Sequence, residues 1–249
     1  MSATALAELI RLRQPCVVLT GAGVSTESGI PDFRSPTGLW ARFDPLEYGS
    51  LEAFRRDPRK VWSFYKPRLA MLTEAQPNPA HLALAELEEL GFVQAVVTQN
   101  IDLLHERAGN REVVEVHGSI RTSSCAGCAE RYSLERVLDL LADADAPACA
   151  ACGEILKPDV VFFGELLSPA AIDRAHELAR AARLLLVVGS ALEVYPVAGL
   201  PQETLDAGGE LAIVNRGRTA YDDQASLRIE GAAGAVLPEV VGALRLPRA

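Results

Sequence analysis

Four of the five cysteines stand in two pairs, Cys125-x-x-Cys128 and Cys149-x-x-Cys152, with 20 residues between them. Two thiolate pairs at this spacing make the ligand set of a tetrahedral zinc site. Four protein ligands close the coordination sphere, so the metal would hold a lobe together rather than activate water. A second constellation begins at Gly21-Ala22-Gly23-Val24-Ser25-Thr26-Glu27-Ser28-Gly29, a turn whose glycines let the backbone approach a phosphate at a helix N-terminus. Thr26 takes the place of the third fingerprint glycine, which counts against a plain dehydrogenase. The same glycines would also suit a strand-to-helix turn that needs them only for tightness. Just beyond, Asp32, Phe33 and Arg34 put a carboxylate, a ring and a guanidinium beside the turn; the guanidinium can pair with phosphate while the ring excludes water. Gln99, Asn100 and Asp102 suit a carboxamide and sugar hydroxyls, although Asn100 would equally cap a following helix. His117 is the candidate general base, imidazole being the usual one near neutral pH. His81, His105 and His176 fall in helical stretches and read as structural, and Cys16 reads as core packing.

Such groups can meet only if the elements that carry them end near one another. Five short apolar runs, 16–19, 95–97, 113–116, 184–188 and 211–214, have strand length and are rich in β-branched residues. Most lack polar alternation, as in parallel strands covered on both faces. Helical stretches at 3–13, 79–90 and 169–182 lie between them. The alternation predicts an α/β fold, a doubly wound Rossmann-like parallel sheet, in which ligands bind at the carboxyl ends of the strands. Gly21, Gln99 and His117 all follow such ends. Two regions interrupt the pattern: 31–79, aromatic-rich and helical, and 119–158, which holds the paired cysteines. The expected division is one catalytic domain with a larger lobe from 1–35, 80–118 and 159–249, and a smaller zinc-binding and helical lobe from 36–79 and 119–158.

The composition narrows the class further. Over 249 residues, 24 Lys+Arg against 33 Asp+Glu give a formal charge of −9, which argues against a nucleic-acid partner. Glu8, Arg11 and Arg13 break the N-terminal stretch before a signal-peptide core could form. No apolar run approaches the roughly 20 residues of a membrane span. The expected location is therefore cytoplasmic, with no membrane partner, where clustered cysteines favour a metal over disulfides.

Taken in order, residues 21–34, 98–102, His117-Gly118, the paired cysteines, 157–165 and Gly189-Ser190 resemble the sirtuin family of NAD-dependent protein-lysine deacylases, over about residues 16 to 238. The resemblance implies that NAD lies across the sheet edge, its pyrophosphate on Gly21, Ala22, Gly23, Arg34, Gly189 and Ser190, with Asp32 and Phe33 alongside. It places Gln99, Asn100, Ile101 and Asp102 at the nicotinamide ribose and carboxamide, and Asn215, Arg216, Gly217 and Ala233 on the adenosine side. The acyl oxygen of a modified lysine would attack the anomeric carbon as nicotinamide leaves, while His117 takes a proton from a ribose hydroxyl. Lysine, nicotinamide and O-acyl-ADP-ribose result. Val160, Val161, Phe162, Gly164 and Glu165 resemble the strand that pairs with the acylated protein by β-addition. Tyr65-x-x-Arg68 resembles the pair that marks the acidic-acyl branch, where a phenol and a guanidinium on one helix face clamp a succinyl or malonyl carboxylate. Gly49 leaves room for an acyl chain, whereas Pro67 can kink that helix. Ala191 stands where sirtuins more often carry a second hydroxyl, a loss of about 1 kcal/mol in cofactor binding. The same site could instead transfer ADP-ribose to a protein, or serve a non-catalytic NAD-sensing module.

Overall fold

The described residues fold around nine strands, β1 (Cys16–Thr20), β2 (Ala95–Thr98), β3 (Val113–Glu115), β4 (Gly118–Cys125), β5 (Arg131–Ser133), β6 (Leu156–Val160), β7 (Leu184–Val188), β8 (Glu210–Asn215) and β9 (Leu227–Glu230). This computed structural model describes residues 2–245; Met1 and 246–249, the outermost residues of the expected larger lobe, lie outside the described residues.

Six strands form one parallel sheet in the order β3-β2-β1-β7-β8-β9. The chain moves outward from β1 to β3, crosses back, and moves outward again from β7 to β9. Its direction reverses between β1 and β7, the place where doubly wound sheets open a ligand crevice. β1 and β7 are buried along their whole length, as their unbroken apolar sequences require. Helices Ala3–Leu12, Pro79–Glu89 and Ala233–Arg245 cover one face, and Pro169–Ala181 and Leu200–Asp206 the other. Among the described residues no helix is long and apolar enough to cross a membrane.

The predicted Rossmann-like sheet is present, with a sixth strand, β9, beyond the five expected. The remaining strands make a separate antiparallel sheet, β5-β4-β6. It shares a third apolar cluster with the helices between residues 45 and 74, centred on Trp62, Leu69, Leu156 and Phe162. The main chain passes straight from one sheet to the other: β3 ends at Glu115 and β4 begins at Gly118, so His117 occupies the junction. Gly118 has φ +69°, and a Cβ there would lie 2.1 Å from the Asp159 carbonyl oxygen. No other residue fits that crossing. Helix Pro58–Glu74, capped by Asp57, runs continuously through Pro67.

Candidate active site

The carboxyl ends of β1, β2, β3 and β7 bring together residues that are far apart in sequence. Gly21 and Gly23 follow β1 and lie against Gly189 and Ser190, which follow β7. A Cβ on Gly23 would come within 2.8 Å of the Gly189 carbonyl oxygen, and one on Gly189 within 2.2 Å of the Val24 nitrogen. Mutual packing of the two strand ends thus demands these glycines, whatever else the turn holds. The turn continues as a 3₁₀ helix, Ala22–Ser28, closed by Gly29 at φ +83°. Glu27, on this helix, reaches across to accept from the Gly234 N–H at 2.8 Å and so caps helix Ala233–Arg245.

Beneath the turn lies a buried polar network. The Asn78 backbone N–H donates to His81 Nδ1 at 3.3 Å, so the ring proton sits on Nε2, which faces Ser25 Oγ at 3.3 Å. Ser25 in turn donates to Asp102 Oδ2 at 2.7 Å. Asn100 Nδ2 donates to Ser25 Oγ at 3.1 Å and to the Gly21 carbonyl at 3.2 Å, which commits its amide nitrogen inward. Its Oδ1 acceptor is then what it can offer a ligand. Asp102 Oδ1 accepts from the Leu104 N–H, and Leu103 between them adopts φ +65°, a strained conformation for a branched residue. His105 Nε2 lies 2.9 Å from Thr20 Oγ1, which donates to Thr98 Oγ1, itself an acceptor for the Asn100 backbone N–H. Burial pushes His81 down to about 4 and His105 down to about 3, so both rings are neutral near pH 7.

His117 sits at the rim, partly exposed. Its Nδ1 lies 3.1 Å from the Gln99 carbonyl oxygen, which can only accept, so Nδ1 carries the proton and Nε2 keeps a lone pair. Burial lowers its pKa and the nearby Arg34 lowers it further, against an opposing effect of the Gln99 carbonyl. The imidazole is thereby poised as a neutral base. Gln99 Nε2 donates to Ser190 Oγ at 3.0 Å, tying the end of β2 to the end of β7. Arg34 lies 3.3 Å from Glu193 across the crevice, Asp32 Oδ1 accepts from the Ser35 N–H, and Phe33 packs on Trp40. Ala191 lies in this rim too, its carbonyl accepting from the Ala220 N–H.

Other predicted residues are placed less directly. Asn215 Nδ2 turns back onto the carbonyls of Arg216 and Gly217, shaping its own turn, while Ala233 is buried at the first position of its helix. Of 160–165, only Val160 is in a strand, paired with Gly118. The rest form a turn whose own N–H groups are largely engaged: Val161 with the His117 carbonyl, Phe162 with Glu165, Phe163 with the Gly49 carbonyl. Ile101 passes alongside, its carbonyl accepting from Ile120. Tyr65 is buried against Phe162, ring centroids 5.5 Å apart. The Arg68 guanidinium lies 3.5 Å over the Phe64 ring and 4.6 Å from that of Phe43, with Nη1 on the Phe64 carbonyl. Its buried Nε has no hydrogen-bond partner among the described residues.

Away from the crevice, the Sγ atoms of Cys125, Cys128, Cys149 and Cys152 all lie within 4.8 Å of one another. Neighbouring pairs stand 3.4 to 3.7 Å apart, close to the ~3.8 Å edge of a tetrahedron of thiolates around zinc. Two matching turns build the cluster. The Cys125 and Cys149 N–H groups donate to the carbonyls of Glu130 and Glu154, and Ala129 and Gly153 occupy the left-handed region in equivalent places. The donor set fits a structural zinc ion.

A doubly wound Rossmann-like sheet with a polar crevice at its switch point, beside a small sheet carrying four convergent cysteines, defines the structural class. Residues 21–196 match the Sir2 family. The chain is 44% identical over 238 residues to the NAD-dependent protein deacylase of Thermococcus kodakarensis, covering 94% of this chain and 93% of that one. It is 46% identical over 236 residues to NAD-dependent protein deacylase 2 of Pyrobaculum aerophilum, covering 95% and 93%. A Sir2 structure with a p53 peptide and NAD+ superposes with a TM-score of 0.91 at 39% identity, covering 97% of this chain and 98% of that one. This chain belongs to the Sir2 family.

Ser25 and Glu27 within the glycine turn and Thr98 within the 98–102 motif carry no individual role in the sequence reading, Thr20 none at all, and His81 reads there as structural. A serine, two strand-terminal threonines, a helical histidine and an exposed glutamate carry no spacing signal, and only the fold brings them together.

Proposed function

We propose that this protein removes acyl groups from protein lysine with NAD as co-substrate and one water consumed, giving free lysine, nicotinamide and O-acyl-ADP-ribose. The observation that carries this reading is His117: its Nδ1 is tied to the Gln99 carbonyl, its Nε2 is left as a base, and it stands beside the oriented Asn100 amide at the switch point. NAD, when bound, supplies a glycosidic bond whose cleavage releases nicotinamide and lets the acyl group pass to ADP-ribose. The chain supplies the rest. Gly21 to Gly23, Arg34, Gly189 and Ser190 hold phosphate; Asn100 and Gln99 orient the nicotinamide end; and His117 accepts a ribose hydroxyl proton. Asp102 holds Ser25, and through it Asn100. On this reading the chain has a larger lobe from 1–35, 80–118 and 159–249 and a smaller one from 36–79 and 119–158 stiffened by one zinc ion, and thiols that hold such an ion suit a reducing cytoplasm.

The acyl group is an acidic one on this reading. An arginine Nε that is buried without an acceptor is costly, and an incoming carboxylate would satisfy it. Helix Pro58–Glu74 is unbroken at Pro67, so Tyr65 and Arg68 stay on one helical face. Both the activity and the preference are tested by incubating the protein with NAD and matched acetyl-lysine and succinyl-lysine peptides. Faster succinyl removal that collapses in Arg68→Met supports the clamp. Faster acetyl removal that ignores the substitution refutes it. A peptide that gains ADP-ribose without losing its acyl group would refute deacylation in favour of transfer.

A further inference from the structure

Lys157 was drawn into the family resemblance only as part of its motif, yet it has the most completely satisfied cationic group in the molecule's small sheet. Its Nζ donates to the Pro158 carbonyl at 3.0 Å and to the Val160 carbonyl at 2.9 Å, and forms an ion pair with Glu165 Oε2 at 2.9 Å. Two carbonyl oxygens and one carboxylate oxygen thus surround the ammonium within 3.0 Å. The same Nζ lies 4.2 Å from the Phe162 ring centroid, on the ring that packs against Tyr65. Glu165 Oε2, paired with the Lys157 ammonium, also accepts from the Phe162 backbone N–H at 2.8 Å. Both side chains are mostly buried, 18% and 21% exposed, so the pair is not one of the weak ion pairs of an open surface.

All these acceptors lie within one stretch of nine residues, 157–165, and together they fold it back on itself. Its two flanks are pinned separately, Val161 by the His117 carbonyl and Phe163 by Gly49 and Leu51. We infer that Lys157 is a positioning residue for the acyl-lysine groove, its ammonium clasping Glu165 so that residues 161–165 hold the shape a substrate segment must meet. This rests on the proposed deacylase function. Without the ammonium, Glu165 would be left as a largely buried carboxylate with one N–H donor, and moving to water would release Phe162 and with it the wall beside Tyr65. The contacts of Lys157 include no residue of the Gly21–Arg34 turn and none of Gln99 to Asp102. Its loss should therefore fall on the peptide and spare NAD.

The test measures KM for acyl peptide and for NAD separately, with NAD affinity by calorimetry, in wild type, Lys157→Met, Lys157→Arg and the double variant Lys157→Met with Glu165→Gln. The double variant removes both charges and so leaves no orphaned carboxylate to destabilise the lobe. Expected is a rise of about tenfold in peptide KM for both Lys157→Met forms, NAD KM and affinity within about twofold of wild type, and recovery to within about threefold in Lys157→Arg. An unchanged peptide KM in the double variant overturns the inference, as does a parallel rise in both KM values, which would mean general loss of structure. Absence of turnover in the wild type would instead refute the deacylase reading, and this inference with it.

Discussion

The Nδ1 proton of His117 is fixed by a carbonyl and its pKa is lowered, and together these set a pH profile. A base works while neutral, so activity is full above its pKa and is lost as pH falls through it. Because burial and Arg34 hold that pKa below the ordinary 6.5, the acid limb of kcat/KM should fall below pH 6.5. An acid limb above 6.5 would mean that another group titrates. His117→Ala should lower kcat/KM by about 100-fold or more while leaving NAD binding within a few-fold. Retained turnover would remove His117 from the chemistry. His117 could be read from the sequence because a histidine directly after an apolar strand points to a sheet edge. His81 and Ser25 could not, since 56 residues separate them and neither has a neighbour that betrays the contact.

At the scale of elements, what the chain hides are its polar strands. β4 reads Gly-Ser-Ile-Arg-Thr-Ser-Ser-Cys, with too little apolar alternation to announce a strand, and β9 is a four-residue edge containing Arg228 and Glu230. The apolar strands β1, β2, β7 and β8 were legible because burial on both faces leaves a continuous hydrophobic run. Two metal-binding turns and one apolar cluster hold the small sheet, and Cys125 and Cys149 belong to that cluster. Metal removal should therefore be felt beyond the cysteines. Cys128→Ser, or chelation, is expected to lower the melting temperature and weaken peptide binding together; unchanged melting with full metal content in the variant would refute a structural role. Tyr132 adds a finer test. Its hydroxyl accepts from the Ala150 N–H at 2.8 Å and donates to Cys149 Sγ at 3.3 Å, an outer-shell contact to one ligand. Tyr132→Phe should lose zinc to a chelator about tenfold faster at unchanged initial metal content. Equal rates would mean that the hydroxyl contributes nothing to retention.

At the scale of the molecule, the described residues form three apolar clusters, and the buried histidines of the polar network beneath the glycine turn make its stability depend on pH. His81 and His105 have rings 5.0 Å apart, edge to face, packed where the helix Pro79–Glu89 meets the ends of β1 and β2. Each is held neutral, at about 4 and about 3, against an unfolded value of 6.5. For such groups the unfolded chain binds more protons than the folded one between those limits. Their contribution is fully present above pH 6.5 and drains away as pH falls toward the folded values. Carboxylates with lowered pKa, Glu47 and Asp222, begin to matter only near and below 4.5 and 3.8, so the loss of stability between 6.5 and 4.5 belongs chiefly to His81, His105 and His117, all lowered, and to protonation of the zinc thiolates, opposed by Glu115, whose carboxyl burial raises. His105→Gln isolates one of these sources, because it keeps a polar group near Thr20, removes one titrating ring and leaves the cysteines alone. Its melting temperature should be lower than that of the wild type at neutral pH, yet decline less steeply on acidification to 4.5. Parallel declines would mean that the His105 ring contributes nothing to the acid sensitivity, whereas convergence of the two curves would assign part of it to that ring.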